Sequence, residues 1–149
     1  MKTFQEIHNL LSVAEPDEKV YAQITTEDIP QLRLLLYDGE SWISARAILA
    51  LSRIKNEAAY RLIKEATTAK RNIVRTAIAV ALPFLPKTFA EEILNRLLRD
   101  EDFGVKRIAI YSIPDRPNRA IKNQLKMLAL YDEHDFIKTI SREKLAMLG

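Results

Sequence analysis

The feature that most constrains the fold of this chain is an internal repeat with a period of about 31 residues. Three similar strings recur at this interval, ISARAILAL at 43–51, VRTAIAVAL at 74–82 and VKRIAIYSI at 105–113. The same interval separates four apolar residues outside these strings, namely Leu32, Ile63, Leu94 and Leu125. A period of roughly 20 to 50 residues is typical of proteins built by stacking copies of one small unit.

Within each unit the apolar residues follow helical spacing. Ile73, Ala77 and Val80 are three or four residues apart, which places them on one face of an α-helix. Pro83 and Pro86 then interrupt this helix, because proline has no backbone N–H to donate. A second run of apolar residues at the same spacing follows, so each unit contains two helical segments.

Polar residues mark the start of the second helix in each unit. Thr88, with Glu91 three residues later, predicts a capping box. Asn56 and Asn118 occupy the equivalent turns of the other two units, and both predict N-caps. Each unit is therefore predicted to be a pair of antiparallel helices of about 10–12 residues.

One such helical hairpin cannot bury its apolar face alone, whereas stacked hairpins bury a continuous core. We therefore predict an all-α fold, an α-solenoid of stacked antiparallel hairpins, forming one domain over residues 1–149. Its predicted parts are a degenerate N-terminal cap at 1–38, repeats at 39–69, 70–100 and 101–131, and a C-terminal capping helix at 132–149. In the N-terminal cap, the sequence predicts a short first helix after Pro16 and a second helix that includes 32–37.

The strings ARAILAL, VRTAIAVAL and VKRIAIYSI, each with an acidic residue shortly before it, resemble HEAT-like repeats. They are similar to the short bacterial kind found in phycobilisome lyases. The resemblance covers residues 32–149 and implies a right-handed solenoid. Tetratricopeptide and ankyrin repeats have similar periods, but this chain lacks their Trp-Leu-Gly-Tyr and Thr-Pro-Leu-His signatures.

Arg75 stands near the start of an otherwise apolar segment, and Lys106 and Lys138 are its repeat equivalents. Ser44 holds this position in the first unit. In HEAT-like families, the resemblance implies, such a basic residue pairs with an acidic one at the turn between repeats. The resemblance thus implies a charge ladder formed by Asp38, Arg75, Asp100, Lys106, Asp132 and Lys138. The alternative is that Arg75 contacts an anionic ligand.

The second helices carry a row of polar residues, each next to a core residue. This polar row consists of Arg33, Lys64, Asn95 and Lys126, and Arg61, Arg99 and Asn123 flank it. Second helices line the concave face of a solenoid, which is its usual binding surface. These seven residues are the predicted binding residues, and they suit an acidic peptide, a phosphate-bearing partner or nucleic acid. The alternative is that they are ordinary exposed helix positions.

The chain offers few parts of a catalytic or metal site. It has no cysteine and only two histidines, His8 and His134. His134 lies in the string DEHD at 132–135, which we interpret as a helix start, because acidic residues there accept hydrogen bonds from free backbone amides. There is no glycine-rich phosphate loop, serine nucleophile elbow or HExxH motif. We expect no enzymatic activity, no cofactor and no metal.

Charge distribution bears on the partner. The net charge is +3, but residues 1–60 carry 6 basic and 9 acidic side chains, a net of −3, and residues 61–149 carry 17 and 11, a net of +6. We therefore expect a scaffold that binds an acidic protein partner on a weakly basic concave face. A nucleic-acid-binding protein is the alternative. A lyase or DNA glycosylase would require several groove aromatics, and Trp42 is the only tryptophan.

Cellular location follows from the same composition. The longest stretch without a charged residue, 76–86, is too short to span a bilayer, and Glu6 interrupts the apolar core that a signal peptide would need. We expect no membrane association and a cytoplasmic location. Open solenoid ends sometimes pair, so a homodimer is also left open.

Overall fold

The structure, a computed structural model, describes residues 1–13 and 16–148. Within these residues the backbone forms ten α-helices and three short 3-10 helices, and it forms no strand. The α-helices are α1 (Phe4–Leu11), α2 (Glu18–Ala22), α3 (Ile29–Asp38), α4 (Ser41–Arg53), α5 (Glu57–Glu65), α6 (Asn72–Ala81), α7 (Lys87–Leu97), α8 (Phe103–Tyr111), α9 (Arg119–Tyr131) and α10 (Asp135–Met147). The chain is therefore all-α, as predicted, and its packed helices are compatible with an α-solenoid.

The helices belong to two compact units, Met1–Leu85 and Pro86–Gly149. The first unit contains α1 to α6, and the second contains α7 to α10. The boundary lies between the two helices of the predicted repeat at 70–100. Two α-helices lie in each of the three predicted repeats, and one lies in the predicted C-terminal segment.

The cores of both units are built largely from apolar positions that recur through the repeat. In the first unit α4 packs against α3 and α6, and its residues Ile43, Ala47 and Leu51 are buried. In the second unit α9 packs against α7 and α10. The four repeat-equivalent residues Leu32, Ile63, Leu94 and Leu125 are all buried, as the sequence predicts. Burial of each such side chain contributes about 1.5–3 kcal/mol to folding, which makes these positions intolerant of polar residues.

The helical spacing predicted for Ile73, Ala77 and Val80 is wrong as a buried face, because Ile73 and Val80 are exposed. Helix α6 instead buries Val74 and Ile78 beside Ala77.

Both asparagine N-caps are confirmed. The side chain of Asn56 accepts a hydrogen bond from the backbone N–H of Ala58 at 2.8 Å, at the start of α5. The side chain of Asn118 accepts one from the backbone N–H of Ile121, also at 2.8 Å, at the start of α9. These bonds satisfy amides that have no partner within the helix.

The capping box predicted at Thr88 and Glu91 is wrong. Helix α7 begins one residue earlier, at Lys87, and Pro86 is its N-cap, with no side-chain capping bond. The extended backbone of Pro86 leads directly into the first turn, so Thr88 already lies inside the helix. Proline has no side-chain hydrogen-bond acceptor, so Pro86 precedes the helix without capping its free amides.

Helix α1 was not predicted from the sequence. Thr3 and Glu6 form its capping box, in which the backbone N–H of Glu6 donates to Thr3 Oγ1 at 3.1 Å and that of Thr3 donates to Glu6 Oε1 at 3.4 Å. Ile7 and Leu11, one turn apart, are buried. Helices α2 and α3 correspond to the two helices predicted in the N-terminal cap. No helix of the described chain has the length and apolar character needed to cross a bilayer.

Candidate functional site

Three of the predicted binding residues lie in the first unit, Arg33 on α3 and Arg61 and Lys64 on α5. The Arg33 guanidinium lies 5.7 Å from the centre of the Tyr37 ring. Arg61 forms an ion pair with Glu57, one turn earlier on the same helix, and both side chains are exposed. Exposed pairs of this kind contribute only about 0.2–1 kcal/mol, so they exchange readily for contacts with a partner.

Tyr37 links α3 to α5 beside Arg33. Its hydroxyl donates a hydrogen bond to the Glu65 carboxylate. Burial, followed by the bond and the negative charge of Glu65, raises the pKa of Tyr37, while Arg33 acts in the opposite direction. The tyrosine therefore remains a neutral donor at physiological pH, and 46% of its surface is still exposed.

The other four predicted binding residues lie in the second unit, Asn95 on α7, Arg99 just after it, and Asn123 and Lys126 on α9. Arg99 Nε donates to Gln124 Oε1 at 3.2 Å, which joins the end of α7 to α9. Asn95 is half-buried, and within the described residues its Oδ1 has no hydrogen-bond donor. Lys126 and Asn123 are exposed.

Helix α9 has an unusual composition. It contains Arg119, Lys122 and Lys126 and no acidic residue in 13 positions. Beside Lys126, Met127 is 51% exposed and Leu130 is 59% exposed. The core of the unit uses the opposite face, through Ile121, Leu125 and Leu128. Because residues three and four apart are neighbours on a helix, Met127, Leu130 and Tyr131 form one exposed apolar stripe.

The same arrangement occurs in α3. Arg33, Leu34 and Tyr37 stand three repeat lengths before Lys126, Met127 and Leu130, and Leu34 and Tyr37 are also exposed. Each of the two compact units therefore contains a helix, α3 or α9, on which a cation borders exposed apolar side chains. The predicted binding residues include these cations but not their apolar neighbours. The sequence does indicate that these apolar residues are exposed, because Leu125 and Leu128 define the buried face of the helix and Met127 and Leu130 do not lie on it.

Lys106 and Asp132, two residues of the predicted charge ladder, are in contact. Lys106 Nζ lies 2.5 Å from Asp132 Oδ1, and the two side chains are only 7% and 5% exposed. Asp132 Oδ2 also accepts the backbone N–H of His134 at 2.9 Å. Burial opposes ionisation of Asp132, but the hydrogen bonds from Lys106 and His134 and their charges outweigh it, so the pKa of Asp132 lies below its ordinary value. The pair ties α8 to the turn before α10.

The string DEHD marks the start of a helix, as predicted. His134 is the N-cap of α10, and its ring lies 5.2 Å from that of Phe103. His134 Nδ1 is 3.6 Å from Asp132 Oδ2. Nowhere in the described residues do three histidine, aspartate or glutamate side chains converge as a metal site requires.

Arg75 contacts the turn that precedes its own helix. Its Nη1 donates to the backbone carbonyls of Ala69 at 2.7 Å and Lys70 at 3.1 Å. The remaining ladder residues are Asp38, exposed at the end of α3, Asp100, which accepts the backbone N–H of Asp102, and Lys138, half-buried on α10.

Arg71, which is not among the predicted site residues, joins two hairpins of the first unit. Its guanidinium donates to the carbonyls of Leu36 at 3.0 Å and Gly39 at 2.8 Å, at the C-terminal end of α3. It also donates to Ser44 Oγ at 2.9 Å. A cation at this end of a helix satisfies free carbonyls and interacts favourably with the helix dipole.

Trp42 is engaged by its neighbours. Its indole N–H donates to Glu40 Oε2 at 2.7 Å, and the Arg46 guanidinium lies 5.2 Å from the ring centre.

Comparison with known proteins finds no protein-family model that matches the chain and no curated protein that matches its sequence.

Proposed function

We propose that this chain is a non-enzymatic protein-interaction module, a right-handed α-solenoid of HEAT-like hairpins with a weakly basic concave face that binds an acidic protein partner. One observation carries the proposal. In α3 and again in α9, a cation borders exposed apolar side chains at equivalent positions of the repeat. Mixed surfaces of this kind suit proteins, since apolar contacts supply affinity and charges select the partner.

The roles of the titratable groups also support a scaffold. The buried ion pair of Lys106 with Asp132 holds a helix to a turn. Arg71 and Arg75 donate to backbone carbonyls. These groups are used to assemble the fold, whereas Arg33 and Lys126 are exposed at the surface.

The proposal is tested by reversing charge at two positions of the polar row. We expect the double variant Lys64→Glu/Lys126→Glu to lose proteins that the wild type retains from an extract of its own cells at about 150 mM salt, near physiological ionic strength. The matched control is Lys55→Glu/Lys87→Glu, at exposed lysines outside the predicted binding residues. Thermal melts should show that all three proteins remain folded. Identical sets of retained proteins would place the binding surface elsewhere.

Nucleic acid is the second candidate, and the acid-free helix α9 favours it. Phosphate binding by several lysines and arginines releases counterions, so affinity falls steeply as salt rises. Titration of labelled DNA and RNA at about 50 and 200 mM salt tests this candidate. Tight, salt-sensitive binding would support it, and no binding at the lower salt would eliminate it.

A further inference from the structure

We propose that the exposed face of α9 binds a short acidic amphipathic helix from a partner protein. We call this surface the α9 face and define it by Arg119, Asn123, Lys126, Met127, Leu130 and Tyr131, all of which are exposed. The inference rests on the proposed function and specifies the partner element. It concerns the second unit alone.

The length of the α9 face determines the length of the partner helix that can cover it. Met127 and Leu130 lie almost one turn apart, and Asn123 precedes Met127 by four residues. From Asn123 to Tyr131 the face extends for about 12 Å along the helix axis, at about 1.5 Å per residue. A partner segment of two to three helical turns covers this length.

A helical occupant fits better than an extended one. An extended peptide needs a sheet edge to pair its backbone N–H and C=O groups, and the described chain contains no strand. An amphipathic helix satisfies its own backbone and inserts side chains spaced by three and four residues between those of a facing helix. Met127 contributes here because its unbranched side chain adapts to different apolar surfaces.

Charge complementarity makes the occupant acidic. The α9 face carries two cations, Arg119 and Lys126, both N-terminal to the apolar stripe, and α9 has no acid to neutralise them. A second copy of this face would bring like charges together, which disfavours self-pairing. Nucleic acid would use the cations but would leave Met127 and Leu130 against phosphates and sugars, without apolar contacts.

The test uses the full chain and three synthetic labelled peptides, followed by fluorescence anisotropy. The first peptide is an amphipathic helix with leucines along one face and glutamates along the other. The second has the same composition with the leucines distributed around the helix, and in the third lysines replace the glutamates. We expect the first peptide to bind about tenfold more tightly than either of the others. Equal affinity for the first two peptides would overturn the proposal.

Variants then locate the binding surface. Met127→Ser/Leu130→Ser should weaken the first peptide about tenfold, and Lys126→Gln about threefold. The matched control is Val80→Ser on α6, because Val80 has a similar exposure, 49%, in the first unit. All these positions are at the surface, so the variants should melt at the wild-type temperature. Equal effects of the control and of the double variant would refute the assignment to α9.

The outcomes separate this inference from the proposed function. If the peptides fail to bind while Lys64→Glu/Lys126→Glu still loses cellular proteins, the helical occupant is wrong and the interaction module stands. If the first peptide binds and no cellular protein depends on those lysines, the proposed function fails as stated. If labelled DNA binds and its affinity depends on Lys126 while the peptides do not bind, the α9 face is a nucleic-acid surface and the proposal is overturned.

Discussion

At the scale of single residues, two serines show how differently a buried hydroxyl contributes to this fold. Ser44 on α4 and Ser141 on α10 are both fully buried. Ser44 Oγ donates to the carbonyl of Leu35 at 2.9 Å and accepts from Arg71. Within the described residues Ser141 Oγ has no hydrogen-bond partner. A buried polar atom left without a partner costs about 1–3 kcal/mol.

The two serines should therefore respond differently to alanine. We expect Ser44→Ala to lower the free energy of unfolding by about 1–2 kcal/mol, because hydrogen bonds to Leu35 and Arg71 are lost. We expect Ser141→Ala to leave it unchanged or to raise it by up to about 1 kcal/mol, because only an unsatisfied hydroxyl is removed. Urea unfolding measures both differences. Equal losses for the two variants would show that Ser141 has a partner.

At the scale of helices and turns, the ion pair between Lys106 and Asp132 is a buried electrostatic tie in the second unit. Both charges are nearly fully buried. Removal of one partner leaves the other as an uncompensated buried charge, which costs about 3–5 kcal/mol. Removal of both avoids that cost, so the energetic effect of the pair depends on how it is broken.

We expect Lys106→Met to destabilise the protein by about 3 kcal/mol. Addition of Asp132→Asn should recover part of this loss, because asparagine is neutral and can still accept the backbone N–H of His134. A double-mutant cycle in urea measures the coupling between the two sites. The exposed pair between Arg61 and Glu57 is the matched control, and its cycle should give no more than about 0.5 kcal/mol. Additive effects at Lys106 and Asp132 would contradict a buried pair.

Helix starts were predicted unevenly, for physical reasons. Asn56 and Asn118 were predicted correctly because an asparagine just before a helical run of apolar residues is a strong N-cap signal. Thr88 misled the prediction because α7 begins one residue before it, after a proline that makes no side-chain bond. The capping box of Thr3 and Glu6 is an equally clear local signal, but it lies outside the repeat from which the other helix starts are predicted.

The direction in which a side chain points is harder to predict from the sequence than the position of the helix that carries it. Arg71 and Arg75 are four residues apart on the sequence, and periodicity alone treats both as polar positions near the start of α6. Arg71 reaches α3 because the carbonyls of Leu36 and Gly39 lie within reach of its guanidinium. That proximity depends on how α6 packs beside α4, and tertiary packing of this kind cannot be derived from one sequence.

At the scale of the whole molecule, each unit contains a buried carboxylate whose pKa is lowered by its hydrogen-bond donors. Asp132 belongs to the second unit, and Asp28, at the start of α3, belongs to the first. Asp28 accepts the backbone N–H of Lys2 at 2.7 Å and that of Thr25 at 2.9 Å, and Lys2 Nζ lies 3.3 Å from it. Burial opposes ionisation of Asp28, but these hydrogen bonds outweigh it and hold the pKa of Asp28 below its ordinary value.

Both aspartates link stability to pH in the same direction. Because the pKa of each is lower in the folded protein than in the unfolded chain, their contributions are complete above the ordinary aspartate pKa of about 3.9. The contributions disappear as pH falls below that value and through the folded pKa. We therefore expect the free energy of unfolding to fall as pH is lowered below about 4.

Asparagine substitution separates these two groups from the other carboxylates of the chain. We expect Asp28→Asn and Asp132→Asn to be less stable than the wild type near neutral pH, because each loses a charge that its hydrogen-bond donors favour. Each variant should also lose less stability than the wild type between about pH 5 and pH 2, since one linked proton has been removed. Glu57→Gln, at an exposed carboxylate, is the control and should retain the wild-type slope. Urea unfolding across this pH range gives the slopes. If the slope of either aspartate variant equals that of the wild type, the pKa of that aspartate is not depressed in the folded protein.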